Sequence, residues 1–594
     1  GFDSQYSNGQ VFSKGSGPIV RDRAWFIMSY QLSRSLIANV GVDLPRDYEG
    51  HYLLAKLTTQ PNAAHRITAL FQTDPTTIDN TKQSDRFVEP EAQMRQAQGG
   101  FIGSLQWDWF YSPEIFAESK FTVQKSYIEA GGVPCTHNAS LGYHTCETDE
   151  PENALDYRTP GRLGLYNAFD SDNAYYFMFD DRWRVRLESK TSLLQRELGG
   201  FHDLKAGFEV DYLWWEWVTG YPGNMYFVDL NYIPYDPNTF ENYYWVESTA
   251  PFDNIQSGVH TGVFIQDVYK PVDNLTFRYG IRYDQAVMES DQNEAVVDIG
   301  VFGPRFYMAW DPWGDEKTVL RGGYGRFNSI GNLGIANDLS QSGFGYKLYV
   351  GEYFDNYGNP SDQNADTVPL ENTNTAHDHL TAPHSDEFTL GGAREIVQDV
   401  VFDVSFTAKF TSNVHVYDET NTVWDEDGYN YIGTGDGSNA DFFRLRTPTV
   451  SRRDYYQTDV ALLKNFADRW QWQSTYSYVV SRGTVQGGSG AGLRVPPQYE
   501  LRYGNLPTDI NHQFKTAGSY DLPNDPWTTR IGLRAEYYSG YPISRYYYAV
   551  GFGGNSQLKD HIGTYARSEP VYYLDLVISQ AIKVKRGEMD LTFQ

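Results

Sequence analysis

Residues 275–284, LTFRYGIRYD, alternate without interruption. Leu275, Phe277, Tyr279, Ile281 and Tyr283 share one face, and Thr276, Arg278, Gly280, Arg282 and Asp284 share the other. A period of two predicts a β-strand whose faces meet different surroundings. The alternation returns in Val400, Phe402, Val404, Phe406, Ala408 and Phe410, again in Trp470, Trp472, Tyr476 and Tyr478, and again in Tyr572, Leu574, Leu576 and Ile578. About 20 such segments run along the chain, most of them reaching the ~9–11 residues a tilted strand needs to cross a bilayer. Asp181 breaks the rule, falling on the apolar face of Tyr175, Phe177, Phe179, Trp183 and Val185. Either that strand starts well above a membrane or a bulge shifts its register there.

The connections sort by length. Short ones at 60–62, 111–114, 270–274, 312–315, 467–469 and 523–526 carry the Pro, Gly, Asn and Asp of tight turns. Long polar ones lie between them, at 75–95, 129–173, 219–257, 328–383, 413–452, 484–509 and 546–569. Short turns at one end of every hairpin and long loops at the other are the layout of an outer-membrane β-barrel. The expected fold is all-β, a large antiparallel transmembrane barrel with short periplasmic turns and long extracellular loops. A barrel satisfies its backbone groups within lipid. The wet face of 275–284 then looks into the lumen, with Arg278, Arg282 and Asp284, and the aromatic face looks outward.

Composition agrees. The chain of 594 residues shows no linker or charge block that would divide it, so 1–594 reads as one domain. No run of 18 apolar residues exists, which excludes a membrane-spanning helix. A mean hydropathy of −0.54 does not argue against strands, because they show lipid only every second residue. Aromatic residues form 16% of the chain and gather near strand ends, as interfacial girdles require. The formal charge of −28 repels phosphate backbones and sets nucleic acid aside as a partner. The 12 histidines are scattered, and no Ser or Cys has a base beside it, so enzyme activity is not expected.

PRFYMAWDPWGDEKTVLRGGYGRF (304–327) resembles a recurring segment of TonB-dependent receptors, in particular the Oar-like group. SGPIVRDRAWFIMSY (16–30), FHDLKAGFEVDY (201–212), FIQDVYKPVDNLTFRYGIRYD (264–284), SDEFTLGGAREI (385–396), DVALLKNFADRWQWQSTYSYVVSRG (459–483), INHQFKTAGSYDLP (510–523) and YYSGYPIS (537–544) agree with that family in the same order. Each is loose alone, and the order over nearly the whole chain makes the match specific. The resemblance implies a 22-stranded barrel in the outer membrane of a Gram-negative bacterium. It also implies an N-terminal plug gripped by TonB, and import of an extracellular ligand on inner-membrane energy. Residues 2–30 resemble the family's second and third strands, joined around Ser16-Gly17-Pro18, and 587–594 its second-to-last strand. The chain therefore reads as a barrel portion lacking plug, first strand and last strand. The alternative is a structural, adhesion or surface-complex barrel without active transport.

Four groups are candidate sites. Cys135 and Cys146 share a long loop, where an oxidising envelope favours a disulfide over a reactive or metal-binding thiol. In WDEDGYNYIGTGDGSNAD (424–441), Asp425, Asp427 and Asp436 are oxygen donors suited to calcium, although the twelve-residue calcium pattern is broken and a solvated loop is the alternative. Trp215, Trp217, Tyr221 and Tyr226 lie in an aromatic stretch, 212–246, divided between a girdle and a platform for sugars or aromatic ligands. Asp180, Arg182, Arg184, Arg186 and Glu188 form a charged ladder on the lumen face, to which Arg278 and Arg282 add, pairing across strands or with a plug.

Overall fold

The structure, a computed structural model, describes the chain apart from residues 1–4, 39–44, 82–86, 89–91, 133–135, 139–142, 146–160, 165–168, 172, 175, 223–224, 230–243, 249–251, 293, 332, 341–345, 355–359, 370–374, 377–379, 427–430, 436–442, 448–450, 485–501, 525–526, 549–555, 585–586 and 594. One antiparallel sheet dominates. It starts with β1 (Gln5–Val20), β2 (Ala24–Ala38), β3 (Arg46–Asn62), β4 (His65–Thr73, resuming at Thr76–Asp79), β5 (Arg95–Ser112) and β6 (Ile115–Gly131). Next come β7 (Phe177–Glu197), β8 (Phe201–Gly220), β9 (Phe252–Val272), β10 (Leu275–Glu289), β11 (Ala295–Trp310) and β12 (Thr318–Asn328). After the short helix α1 (Leu333–Asp338) follow β13 (His384–Val397), β14 (Val400–Ser412), β15 (Arg453–Ala467) and β16 (Trp470–Gly483). The last are β17 (Gly504–Asn505, resuming at His512–Asn524), β18 (Trp527–Tyr538), β19 (Val571–Val584) and β20 (Gly587–Phe593).

Each strand pairs with the next in chain order, so the 22 segments of the sheet make 20 staves. Among the described residues β1 pairs only with β2 and β20 only with β19, which leaves two edges. Among the described residues, connections of two to seven residues close the hairpins at one end. Above the other end, four loops contribute Pro360–Pro369, Tyr346–Phe354, Tyr244–Ser248, Met225–Asp229, Gly161–Gly164, Phe169–Ser171 and Phe87–Val88 to a second, seven-stranded sheet.

The first turn falls elsewhere than expected. Ser16, Gly17 and Pro18 are inside β1, opposite Ile27, Phe26 and Trp25. The chain reverses instead at Arg21, Asp22 and Arg23, with Asp22 at φ 61°, a conformation that a short polar side chain tolerates better than most. The register slips between Pro18 and Val20, a bulge next to a residue that has no N–H to donate.

Asp181 has the first of its two explanations. The register of β7 is unbroken from 178 to 193 against both neighbours, so no bulge moves Asp181. The strand simply rises high: Asp181 is about 16 residues above the turn, roughly 40 Å at ordinary rise and tilt, against ~30 Å for a bilayer's hydrocarbon core. There it meets Lys125 Nζ at 3.1 Å, and that ammonium also lies 5.4 Å over the Trp183 ring.

Inside the upper barrel the wall turns apolar. Ala286 and Met288 continue the face of Arg282 and Asp284, opposite Ile299 and Val297 of β11. These four, with Ile335 and Ala336 of α1 and with Leu339, Ala382, Tyr417 and Leu445, form a buried core. Two long loops are thus folded into the mouth and packed on the inner wall. Gly331, at φ 90°, makes the bend that leads into α1. Tyr417 donates to Asp338 at 2.9 Å across the two loops.

Ile335 is 2% exposed, and Ile335→Ala should cost roughly 2–4 kcal/mol of local docking. Burial raises the Asp338 carboxyl above its ordinary range, opposed by the Tyr417 hydroxyl. A raised folded-state value means that docking is strongest below about pH 4 and weakens as pH climbs through that raised value. Hydrogen exchange of the α1 amides, corrected for the intrinsic rate, should show this trend, and Asp338→Asn should abolish it. The same trend in the asparagine variant would assign it to another group.

Candidate functional site

Trp215 and Trp217 stand two apart on one face of β8. The register sets them opposite Arg182 and Asp180 of β7 and opposite Gln256 and Asn254 of β9. That is the inner face, shared with the charged ladder; Trp214, opposite Trp183, faces outward. The two tryptophans therefore belong to a strand in the mouth of the barrel, not to a loop. Planar groups are layered there. The Arg182 guanidinium lies 4.6 Å over the Trp215 ring, and the Trp215 and Trp217 rings are 6.3 Å apart at 24°. Arg182 donates through Nε and one terminal nitrogen to the two oxygens of Asp180, both at 2.7 Å, and Trp215 Nε1 donates to the same carboxylate at 3.0 Å. This fork fixes the arginine and with it the first ring.

Beside the layer is a cavity of about 570 Å³, lined by Gln124, Ser126, Arg182, Arg184, Trp215 and Leu333 among others. Leu333 opens α1, so the folded-in loop forms one wall of it. An indole face, an amide, a hydroxyl and guanidinium edges suit a ligand with a flat face and a hydrogen-bonding rim. Tyr221, just past the end of β8, and Tyr226 of the loop sheet form a separate pair, with ring centres 4.5 Å apart.

Beneath the aromatic layer the wall is ionic. Arg184 donates to both oxygens of Asp211, at 2.8 and 3.1 Å. Arg186 reaches Glu209, and Glu188 at 3.0 Å. Arg282 meets Glu209, and Asp284 at 2.7 Å. His260 lies 3.6 Å from Asp211 and 3.4 Å from Asp284. Glu209, Asp211 and His260 are close enough to share a metal ion, yet three guanidiniums already neutralise these carboxylates, so the group reads as an ion-pair network. Arg278 differs: among the described residues no carboxylate lies within ion-pair distance of it.

Cys135, Cys146, Asp427 and Asp436 lie outside the described residues. Asp425 follows the loop strand Thr422–Trp424. Two features were not anticipated from sequence, the helix packed in the mouth and Arg305, whose guanidinium lies 4.7 Å over the Phe327 ring.

Fold and wall together define an outer-membrane β-barrel. A family model described as an outer membrane beta barrel domain matches residues 292–550. The TonB-dependent transporter Oar of Myxococcus xanthus is 22% identical over 414 residues, 61% of this chain and 38% of its own length, so the chain spans well under half of that relative. The outer membrane transporter YddB of Escherichia coli superposes at a TM-score of 0.61 with 10% identity, covering 97% of this chain and 68% of that one. The siderophore receptor PiuA of Acinetobacter baumannii superposes at 0.54 with 10% identity, covering 99% and 76%. The chain is thus an outer-membrane protein of a Gram-negative cell, similar along its barrel to TonB-dependent receptors. These relatives are named transporters and receptors, not enzymes.

Proposed function

We propose that this chain is the barrel of a TonB-dependent receptor that binds an extracellular ligand at its mouth and imports it on inner-membrane energy. TonB would engage an N-terminal plug in the longer protein, and further strands would add at the free edges of β1 and β20, where unpaired backbone groups otherwise meet lipid. The outward aromatic face, with Phe277, Tyr279, Phe402, Phe406, Trp472 and Leu576, meets that lipid. The observation that carries the reading is the position of the Arg182–Trp215–Trp217 layer: it faces the lumen beside a cavity at the extracellular end, where an arriving ligand is held above the translocation path. The ligand class it favours is a sugar or an aromatic compound.

Trp215→Ala with Trp217→Ala in the full-length protein should weaken binding roughly 5- to 30-fold, since the lost stacking surface is worth roughly 1–2 kcal/mol. The check is titration of whichever sugar or aromatic compound the purified receptor retains from an array. Unchanged affinity in the double variant would move recognition to the loops.

The seven-stranded loop sheet favours a second reading, a surface-complex barrel without transport, because exposed strand edges recruit partner strands. The external loops are also proposed to carry a Cys135–Cys146 disulfide and a calcium site at Asp425, Asp427 and Asp436.

A further inference from the structure

Lower on the inner wall, a cavity of about 460 Å³ is lined by Phe264, Gln266, Arg278, Arg305, Tyr307 and Phe327, among others. Gly280 and Gly303 also line it, so part of its floor is bare backbone. Register places Arg305 opposite Gly280 and Tyr307 opposite Arg278, which makes the two arginines diagonal neighbours on β10 and β11. Such neighbours stand roughly 7–8 Å apart, a span that one oxyanion between two guanidinium forks can bridge.

The charge balance separates this cavity from the wall beside it. Arg282 also lines it, but that guanidinium is taken by Asp284 and Glu209. Arg278 and Arg305 have no carboxylate within ion-pair distance among the described residues. Among the described residues, the contact recorded for the Arg305 guanidinium is the Phe327 ring. Two like charges side by side repel each other and gain from an anion placed between them. Phe264, Tyr307 and Phe327 flank the position with apolar surface, while both arginines stay exposed to an arriving anion.

We propose that Arg278 and Arg305 form an oxyanion-binding pocket in the barrel wall, taking a carboxylate or phosphate. The oxyanion has two candidate sources, a diffusible ligand passing through the lumen or, resting on the function proposed above, an acidic side chain of a plug. The site does not depend on transport, since both sources present the same chemistry.

The test uses full-length protein in detergent and in planar bilayers, with a trisulfonated pyrene dye as the diffusible anion. If the pocket is open, the dye binds saturably, and Arg278→Ala with Arg305→Ala weakens it by roughly tenfold or more per guanidinium, while Arg278→Lys with Arg305→Lys retains part of the affinity. If an acidic group of the chain already fills it, the dye does not bind, and charge reversal by Arg278→Glu with Arg305→Glu raises conductance by loosening that segment. Unshifted heat-modifiability on gels shows that the variants fold. Equal dye binding in wild type and alanine variant, with conductance unchanged by charge reversal, would overturn the proposal.

Discussion

Uptake of the bound ligand should fall to background in cells that lack TonB, while binding at the cell surface persists. The two responses separate because they rest on different parts of the molecule. Binding needs only the mouth, where Asp180 holds Arg182 against Trp215 through three hydrogen bonds. That geometry forms when the barrel folds and draws on no energy source. Passage is different. A wall of 20 staves encloses an interior too wide for its own side chains to fill, so in the intact protein it is either an open channel or a plugged one. With a plug in place, a ligand at the mouth crosses only when work displaces the plug, and TonB is the proposed source of that work. The measurement is a time course of cell-associated label from a fluorescent conjugate of the retained compound, with and without TonB. An uncoupler of the proton gradient should mimic the deletion. Undiminished uptake in the deletion strain would leave an open pore, and absent uptake in both strains would leave the surface-complex reading.

Local pattern exposed the staves because the period of a strand is two residues and needs no knowledge of its neighbours. Leu275 to Asp284 could be divided into two faces on that basis alone, and the sorting of the loops by length then turned the charged face inward. Features that depend on distant partners were less legible. Arg186 meets Glu209 across 23 residues, and Arg282 meets the same carboxylate across 73. Only the register of four adjacent strands, β7 to β10, says so. The mouth helix left a trace that was legible in principle. The inner face of β10 changes from Arg282 and Asp284 to Ala286 and Met288, and β11 answers with Val297 and Ile299. An apolar patch on a face that should be wet needs a cover, and α1 is that cover. Parity would likewise have placed Trp215 and Trp217 with Glu209 and Asp211 on the inner face. Density of aromatic residues does not distinguish inside from outside. The turn at Asp22 was displaced to 16–18 because glycine and proline are the louder signals, although Asp accepts a positive φ too.

Arg184→Ala should destabilise the barrel more than Asp211→Ala, and replacing both with apolar residues should restore most of the loss. Asp211 has a side chain 1% exposed, whereas that of Arg184 is 43% exposed. Removing the arginine leaves Asp211 deep in the wall with, among the described residues, Arg186 at 3.9 Å and His260 at 3.6 Å as its remaining basic neighbours. Breaking a fully buried pair costs roughly 3–5 kcal/mol; with Arg186 and His260 still nearby, about 2–3 kcal/mol is expected for Arg184→Ala. Removing the carboxylate instead leaves a guanidinium that water already reaches, and solvent screening holds the cost to about 1 kcal/mol. In Arg184→Met with Asp211→Leu neither charge is left behind, and exchange of a buried pair for apolar side chains is often neutral. Urea unfolding in lipid vesicles compares the wild type with these three variants. Wild-type midpoints in both single variants would show that water and His260 suffice around Asp211. A double variant as unstable as Arg184→Ala would instead show that the charges are needed to hold β7 against β8.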